Sequence, residues 1–139
     1  MEKVTEATGS LAPASFSRDR TRMAYVFQDW DTPPDLWAGP TNGGEGTRLT
    51  DANPWIAEEI ALAELRLMQW ESSDGLEIEG ILALPVGDDD DPDPLLLHIH
   101  GGPAGVFTNT FNGRAHVWAG LGYAQLSPNV RGSSGYTDE

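Results

Sequence analysis

Hydrophobic and polar positions alternate over short stretches in the first half of the chain. Three short runs that contain apolar residues, at 23–27, 36–38 and 48–49, are separated by Pro33-Pro34 and Asn42-Gly43-Gly44. Short runs at this spacing predict an antiparallel meander of three strands between Ser15 and Thr50. Three strands cannot cover both of their faces, so the pattern favours a sheet that belongs to a larger stack.

The middle of the chain combines a helix start with a hairpin. Asn53-Pro54 is typical of a helix N-terminus, with an N-cap residue followed by proline, and predicts a short connecting helix. Beyond it, the stretches 65–70 and 76–84 are joined by Ser73-Asp74-Gly75. Acidic residues alternate with apolar ones in the second stretch, which predicts a β-hairpin with one face in water.

The last part of the chain has a different pattern. Leu95–Ile99 is an almost unbroken apolar run, residues 114–121 suit a helix that Gly122 would end, and Tyr123–Ser127 is a second apolar strand. A strand, a helix and a strand in this order, with a connection of this length, predict a parallel strand pair. We therefore expect an α/β arrangement in the second half.

Composition narrows the classes of function. The chain carries 22 acidic and 8 basic side chains, for a formal charge of -14, and so acidic a surface is repelled by nucleic acid and by anionic lipid. No cysteine is present, which excludes disulfides, thiolate catalysis and Cys-ligated metal. The sequence has no apolar stretch of membrane-spanning length and no signal-peptide pattern, so we expect a cytoplasmic protein with neither a nucleic-acid nor a membrane partner.

A run of aspartates, at 88–91 and 93, lies among prolines. Carboxylate oxygens suit calcium, but the run lacks the glycine and the terminal glutamate of a calcium-binding loop. Its charge and proline content favour an exposed loop. We therefore expect no metal site, and nothing in the sequence calls for a cofactor.

The candidate chemistry lies in His100-Gly101-Gly102-Pro103, between the apolar strand and the helix. A developing oxyanion must be met by a fixed backbone N–H, and residues without a Cβ let the main chain approach closely enough. α/β-Hydrolases form half of their oxyanion hole in a loop at this position. Taken alone, the same four residues also suit a tight turn that only ends a strand.

A second glycine-rich loop, Pro128–Tyr136, follows the next strand. Together with the His-Gly-Gly-Pro motif, and with Trp118 and Gly122-Tyr123 between them, it resembles the catalytic domain of the prolyl oligopeptidase family. The acylaminoacyl-peptidase and dipeptidyl-peptidase branches are the most similar. The resemblance extends back through Met68–Gly80, which is similar to the strand pair at the start of the family's hydrolase domain.

The N-terminal half also resembles this family. The segments concerned are Phe16-Ser17, Ala24-Tyr25-Val26, Pro33-Pro34-Asp35-Leu36 and Leu49-Thr50-Asp51, which look like the last blade of the β-propeller that precedes the hydrolase domain. The resemblance implies that residues 1–62 are this blade with a connecting helix, and that residues 63–139 are the N-terminal portion of an α/β-hydrolase domain. Such a chain would be incomplete on both sides. Departures from the family pattern occur at turn positions, namely Arg18, Arg20 and Thr137.

The resemblance implies a serine peptidase that hydrolyses short peptides through an acyl-enzyme, with a peptide as the substrate of the full-length enzyme. Carried over by position, the Gly102 N–H is the oxyanion donor, and His100 and Gly101 belong to the oxyanion loop. Arg131 is expected to be buried with a carboxylate partner, holding its loop or contacting substrate. The sequence does not indicate an oligomeric state.

The nucleophile of such an enzyme is missing from this sequence. No G-x-S-x-G motif occurs; the nearest match, Gly132–Tyr136, ends in tyrosine and follows only the second strand of the α/β half, which argues against Ser133 and Ser134. Among the other histidines, we expect His98 to be hydrogen-bonded in the core and His116 to be a surface or packing residue, so neither is the catalytic base.

Without nucleophile, acid or base, the chain alone is predicted to be inactive. Two alternatives remain at this point. One is a noncatalytic remnant or interaction module. The other is an esterase-like or lipase-like hydrolase, which is disfavoured because simple esterases lack a propeller.

Overall fold

The computed structural model describes residues 8–87, 93–102 and 104–136. The chain divides into two units. Unit 1 comprises Met1–Ile60 and Asn109–Phe111, and unit 2 comprises Ala61–Thr108 and Asn112–Glu139. The expected aspartate loop at 88–91 lies outside the described residues, as do Pro103 and Thr137.

Unit 1 contains a four-stranded antiparallel sheet in the order β1-β2-β3-β4. Its strands are β1 (Ser10–Phe16), β2 (Arg22–Gln28), β3 (Asp35–Pro40) and β4 (Thr47–Arg48). The meander predicted from the apolar runs is confirmed as β2, β3 and β4. Strand β1 was not predicted, because Pro13 interrupts it and its register with β2 shifts between Pro13 and Ser15. An edge strand tolerates proline, since its free side needs no ladder hydrogen bond.

The turn between β1 and β2 keeps a left-handed residue although it has no glycine. Arg20 adopts φ 57, a conformation that is uncommon for residues with a side chain. The Arg20 N–H donates to Ser17 O at 2.9 Å and closes the turn.

A buried carboxylate ties the end of the sheet to the segment that follows it. Asp35 accepts hydrogen bonds from Thr50 Oγ1 at 2.5 Å, from Arg48 Nη2 at 2.5 Å and from Ala52 N at 3.1 Å. The bonds from Thr50 and then Arg48 hold the pKa of Asp35 below its ordinary value. Unit 1 is thus stabilised by an ion pair inside its own sheet.

Helix α1 (Pro54–Glu59) begins where the sequence predicts a helix. Asn53 occupies the N-cap position and proline stands in the first turn, but the Asn53 side chain makes no capping hydrogen bond. The helix is six residues long and has no buried residue.

Unit 2 contains a mixed sheet in the order β5-β6-β8-β7. Its strands are β5 (Leu65–Glu71), β6 (Glu77–Ala83), β7 (Leu95–Leu97) and β8 (Ala124–Asn129), and helix α2 (Gly113–Gly120) connects the last two. The predicted hairpin is confirmed as β5 and β6, and the predicted parallel pair as β7 and β8. The antiparallel pairing of β6 with β8 was not predicted, because the pattern within a strand does not specify its neighbour.

The core of unit 2 is small and is built around α2. Four buried alanines form it, with Leu65 packed against them: Ala63, Ala83, Ala115 and Ala119. His116 is buried beside this cluster, and its Nδ1 accepts a hydrogen bond from Ala63 N at 3.1 Å. The structure therefore favours the packing interpretation of His116 over the surface one.

The expectation for His98 is only partly right. Its backbone N–H extends the parallel ladder by donating to Leu126 O at 2.8 Å. The ring is half-buried, and its Nδ1 has no hydrogen-bond partner among the described residues. The predicted hydrogen bond is thus absent at this atom, because the ring packs on Phe107 instead.

The described residues contain neither a membrane-spanning helix nor a cluster of metal-binding side chains. None of the helices there combines the length and the apolar character needed to cross a bilayer. Within the same residues, no group of three or more His, Asp or Glu side chains is arranged to hold a metal ion.

Candidate functional site

The topology of unit 2 brings two glycine-rich loops to one edge of its sheet. We call residues 100–105 the first glycine loop and residues 130–136 the second glycine loop. The first follows β7 and the second follows β8, and these two strands are parallel neighbours. Because the carboxyl ends of parallel strands meet at the same edge, the two loops lie side by side.

Glycine is required at position 102. Gly102 has φ 114, in the left-handed half of backbone space, where residues with a Cβ are strained. The residue is exposed, and its N–H has no acceptor among the described residues. Within the described part of the chain, this N–H is therefore available to a ligand.

His100 is hydrogen-bonded to a serine of the second glycine loop. Its Nε2 lies 2.8 Å from Ser133 Oγ, and the same Oγ donates to Val130 O at 2.6 Å. A hydroxyl has one proton and a carbonyl can only accept, so the proton of Ser133 is used on Val130. His100 must then donate to Ser133 from Nε2, the shorter of the ring's two contacts; its Nδ1 lies 3.3 Å from Gly101 O.

This Ser–His pair has the spacing of a nucleophile and its base, but not their accessibility. Ser133 is only 2% exposed and its proton is held by a carbonyl. A buried hydroxyl in this position cannot reach a substrate carbonyl. The pair is a structural contact between the two loops.

Within the first glycine loop, Gly105 packs directly on the His100 ring. A Cβ added to Gly105 would lie 2.6 Å from His100 Nδ1 and 2.5 Å from Gly101 O, so no side chain fits there. The second glycine loop also holds this stretch: Ser134 N donates to Gly105 O at 3.3 Å, and Ser134 Oγ donates to Ala104 O. Ala104 and Gly105 are thus held by Ser134, and Gly105 also by the His100 ring.

The Asn129 side chain forms two hydrogen bonds with the backbone of Phe107, which follows the first glycine loop; we call this pair of bonds the clamp on Phe107. The side chain is 3% exposed; its Oδ1 accepts from Phe107 N at 2.7 Å and its Nδ2 donates to Phe107 O at 3.0 Å. The Phe107 ring packs on both histidines, with centroid distances of 5.0 Å to His98 and 5.4 Å to His100. Asn129 therefore holds the aromatic ring that supports His100.

A chain of hydrogen bonds leads from Asn129 through a tyrosine hydroxyl to a carboxylate. Asn129 Nδ2 also donates to the Tyr136 hydroxyl at 3.0 Å, and that hydroxyl donates to Glu79 Oε2 at 2.6 Å. The bonds from Tyr136 and then from Gln69 hold the pKa of Glu79 below its ordinary value. Burial, and next the bond to Glu79, raise the pKa of Tyr136.

Sequence reasoning missed these supporting residues. The alternation in the hairpin led us to expect Glu79 to face water, whereas it is half-buried under the second glycine loop. Asn129 was passed over because it belongs to no catalytic motif, and Ser133 was considered only as a nucleophile. Polar side chains at the carboxyl end of a parallel strand were the available signal.

Arg131 differs from expectation in its burial. Its guanidinium forms an ion pair with Asp74, as the expected carboxylate partner. The two side chains are 46% and 57% exposed, so the pair lies at the surface and not in the interior. An exposed pair of this kind contributes little to stability, because water screens its charges. It links the second glycine loop to the turn between β5 and β6.

Comparisons with known proteins cover most of this chain but little of its relatives. No family model matches. The chain is 34% identical over 126 residues to the uncharacterised peptidase YuxL of Bacillus subtilis, covering 90% of the chain and 19% of the relative. It is 37% identical over 73 residues to a probable dipeptidyl-peptidase 5 of Emericella nidulans, covering 50% of the chain and 10% of the relative.

A solved structure gives the same result. The chain matches Pyrococcus horikoshii acylaminoacyl peptidase with a TM-score of 0.77 and 30% identity, over 94% of this chain and 21% of that one. The 139 residues thus correspond to about a fifth, or less, of the length of these proteins.

Proposed function

We propose, from the premise that this chain belongs to the prolyl oligopeptidase family of peptidases, that it supplies the oxyanion loop of a serine peptidase. In this proposal residues 1–62 form the last propeller blade with the connecting helix, and residues 63–139 form the N-terminal portion of an α/β-hydrolase domain. The antiparallel sheet of unit 1 and the parallel β7–α2–β8 connection of unit 2 support this division.

The observation that carries the proposal is the geometry of Gly102. It follows a parallel strand, adopts φ 114 and presents an N–H that no described residue accepts. When a serine attacks a peptide carbonyl, the carbonyl oxygen gains negative charge, and a fixed N–H aimed at that oxygen stabilises the transition state. One such donor typically contributes about 10²-fold to 10³-fold to kcat.

The nucleophile of the proposed mechanism is not among these 139 residues. The sequence has no G-x-S-x-G motif, Ser133 is buried, and Ser134 Oγ donates to Ala104 O. We therefore expect the chain alone to be inactive, since the oxyanion loop has nothing to act upon without a nucleophile and its base.

We infer peptides as the substrate class. The relatives are named peptidase, dipeptidyl-peptidase and acylaminoacyl peptidase, and these names agree in the bond that is cleaved. A propeller in front of the hydrolase domain would limit access to short peptides.

A fluorophosphonate probe tests the proposal directly, because it reacts with an activated serine. The 139-residue chain and the longest gene product that contains it are treated side by side. We expect labelling of one serine per molecule in the longer product and no labelling of the 139-residue chain. Stoichiometric labelling of the short chain would show that a nucleophile is present after all. If neither is labelled, the noncatalytic interaction module becomes the better interpretation.

A further inference from the structure

The Ser133 hydroxyl stands between the two glycine loops with both of its hydrogen-bonding roles used. It donates to Val130 O at 2.6 Å and accepts from His100 Nε2 at 2.8 Å. Val130 is in the same loop as Ser133, so the second glycine loop fixes the hydroxyl. The hydroxyl in turn holds the imidazole of His100 in the first glycine loop. At 2% exposure, water cannot easily replace it.

The imidazole of His100 in turn determines the path of the first glycine loop. The Gly105 backbone lies against the ring closely enough that no Cβ fits between them. Gly102 lies between His100 and Gly105 along the chain and adopts a left-handed conformation. A rotation of the ring would therefore move the Gly102 N–H.

We propose that Ser133 is a positioning residue for Gly102, acting through the imidazole of His100. This role rests on the proposed oxyanion function of Gly102 and extends it to a side chain in the other loop. Ser133 does not touch substrate. Its hydroxyl holds the Nε2-protonated ring in one orientation, and the ring holds the donor loop.

Removing the hydroxyl leaves the Nε2–H of a half-buried ring without its acceptor. The ring then turns toward another acceptor, and Gly105 loses the surface on which it packs. Displacements of about 1 Å in catalytic groups lower rates by up to about 10²-fold. Ser133→Ala is therefore expected to lower kcat by about 10-fold to 100-fold with little change in KM, as for an interaction made only in the transition state.

The kinetic test uses the gene product that the fluorophosphonate probe labels. Ser133→Ala, His100→Ala and the double variant are compared on one peptide substrate. If Ser133 acts through His100, the double variant is no slower than His100→Ala alone. If the losses of kcat in the two single variants multiply in the double variant, the proposal is wrong. Ser127→Ala is the matched control, because Ser127 is similarly buried and, among the described residues, the only hydrogen bond of its hydroxyl is the one accepted from Gln125. The kcat of this variant should stay at the wild-type value.

A second measurement keeps this proposal separate from the proposed function. Nitrogen-15 NMR of histidine-labelled and glycine-labelled protein reports the tautomer of His100 and the amide of Gly102. We expect an Nε2-protonated ring in the wild type, and in Ser133→Ala a changed tautomer population together with a shifted Gly102 amide. An unmoved Gly102 amide would refute the positioning role even in an active enzyme. Failure of the wild type to react with the fluorophosphonate probe would refute the proposed function, and the NMR result would still decide the link between Ser133 and Gly102.

Discussion

The two glycine loops look alike in sequence but are held in different ways. The second glycine loop is closed by its own backbone, with Ser133 N donating to Val130 O at 3.0 Å and Tyr136 N donating to Ser133 O at 3.1 Å. The first glycine loop receives its hydrogen bonds at Ala104 and Gly105 from Ser134 of the other loop. Glycine gives both loops conformational freedom, and polar side chains of the second loop give the first its shape. The first glycine loop carries the Gly102 N–H, and the second glycine loop holds the first in place.

The largest expected effect comes from filling the space between the first glycine loop and its histidine. In Gly105→Ala the new Cβ would stand 2.5 Å from the backbone oxygen of Gly101, so the main chain itself must move. We expect kcat of the labelled gene product to fall by about 10²-fold to 10³-fold, because the Gly102 N–H, the proposed oxyanion donor, moves with the backbone. The loss of stability should be about 1–3 kcal/mol, as for other overpacked sites. Steady-state kinetics and urea unfolding measure the two effects.

Gly132→Ala is the matched variant in the second glycine loop. Its Cβ would meet nothing within 4 Å, and only the backbone conformation, at φ 84, resists the substitution. The strain of a left-handed residue should lower stability by about 1–2 kcal/mol, and kcat should fall much less than in Gly105→Ala. Equal losses of kcat in the two variants would contradict the distinction between a presenting loop and a holding loop.

Asn129 provides the next test, because its side chain reaches from the end of β8 to the stretch that follows the first loop. Asn129→Ala leaves both the N–H and the C=O of Phe107 without their partner. We expect a stability loss of about 2–3 kcal/mol in urea unfolding, in the range for unsatisfied buried polar groups.

Asn112→Ala is the control for this prediction. Asn112 caps α2 with a long bond of 3.4 Å from Ala115 N, and removing a cap of this kind should lower stability by about 1 kcal/mol or less. If Asn129→Ala is no more harmful than Asn112→Ala, the clamp on Phe107 does not support the site.

Much of the fold was accessible from the sequence, because each strand of the hairpin and of the parallel pair carries its own local pattern. Strand β1 lacked such a pattern, since Pro13 interrupts it. The His-Gly-Gly-Pro motif drew attention to the first loop, because glycine lets the main chain approach a ligand closely; the oxyanion role of Gly102 stays a prediction. The supporting contacts could not be predicted, since they join side chains far apart along the chain, with separations of 33 residues for His100 and Ser133 and 57 residues for Glu79 and Tyr136.

The smallest expected effect concerns the hydroxyl of Tyr136 and depends on pH. Tyr136→Phe removes the hydrogen bond that Glu79 accepts at 2.6 Å and the one donated by Asn129. At neutral pH we expect a stability loss of about 1 kcal/mol, the usual net contribution of such a bond. Urea unfolding of both proteins between about pH 7 and about pH 3 measures it.

The sign of the pH dependence follows from the direction of the pKa shift. The pKa of Glu79 in the folded chain lies below its ordinary value of 4.5, first because of the bond from Tyr136. Its contribution is therefore present above that value and disappears as the pH falls through the folded pKa. The difference in the free energy of unfolding between wild type and Tyr136→Phe should therefore become smaller as the pH falls. The other carboxylates are present in both proteins, so their contributions cancel when the two are compared. Tyr123→Phe is the control, because its ring packs on Trp118 and its hydroxyl has no hydrogen-bond partner in the described part of the chain. A gap that stays constant down to about pH 3 would mean that Glu79 is not the group through which Tyr136 stabilises the second glycine loop.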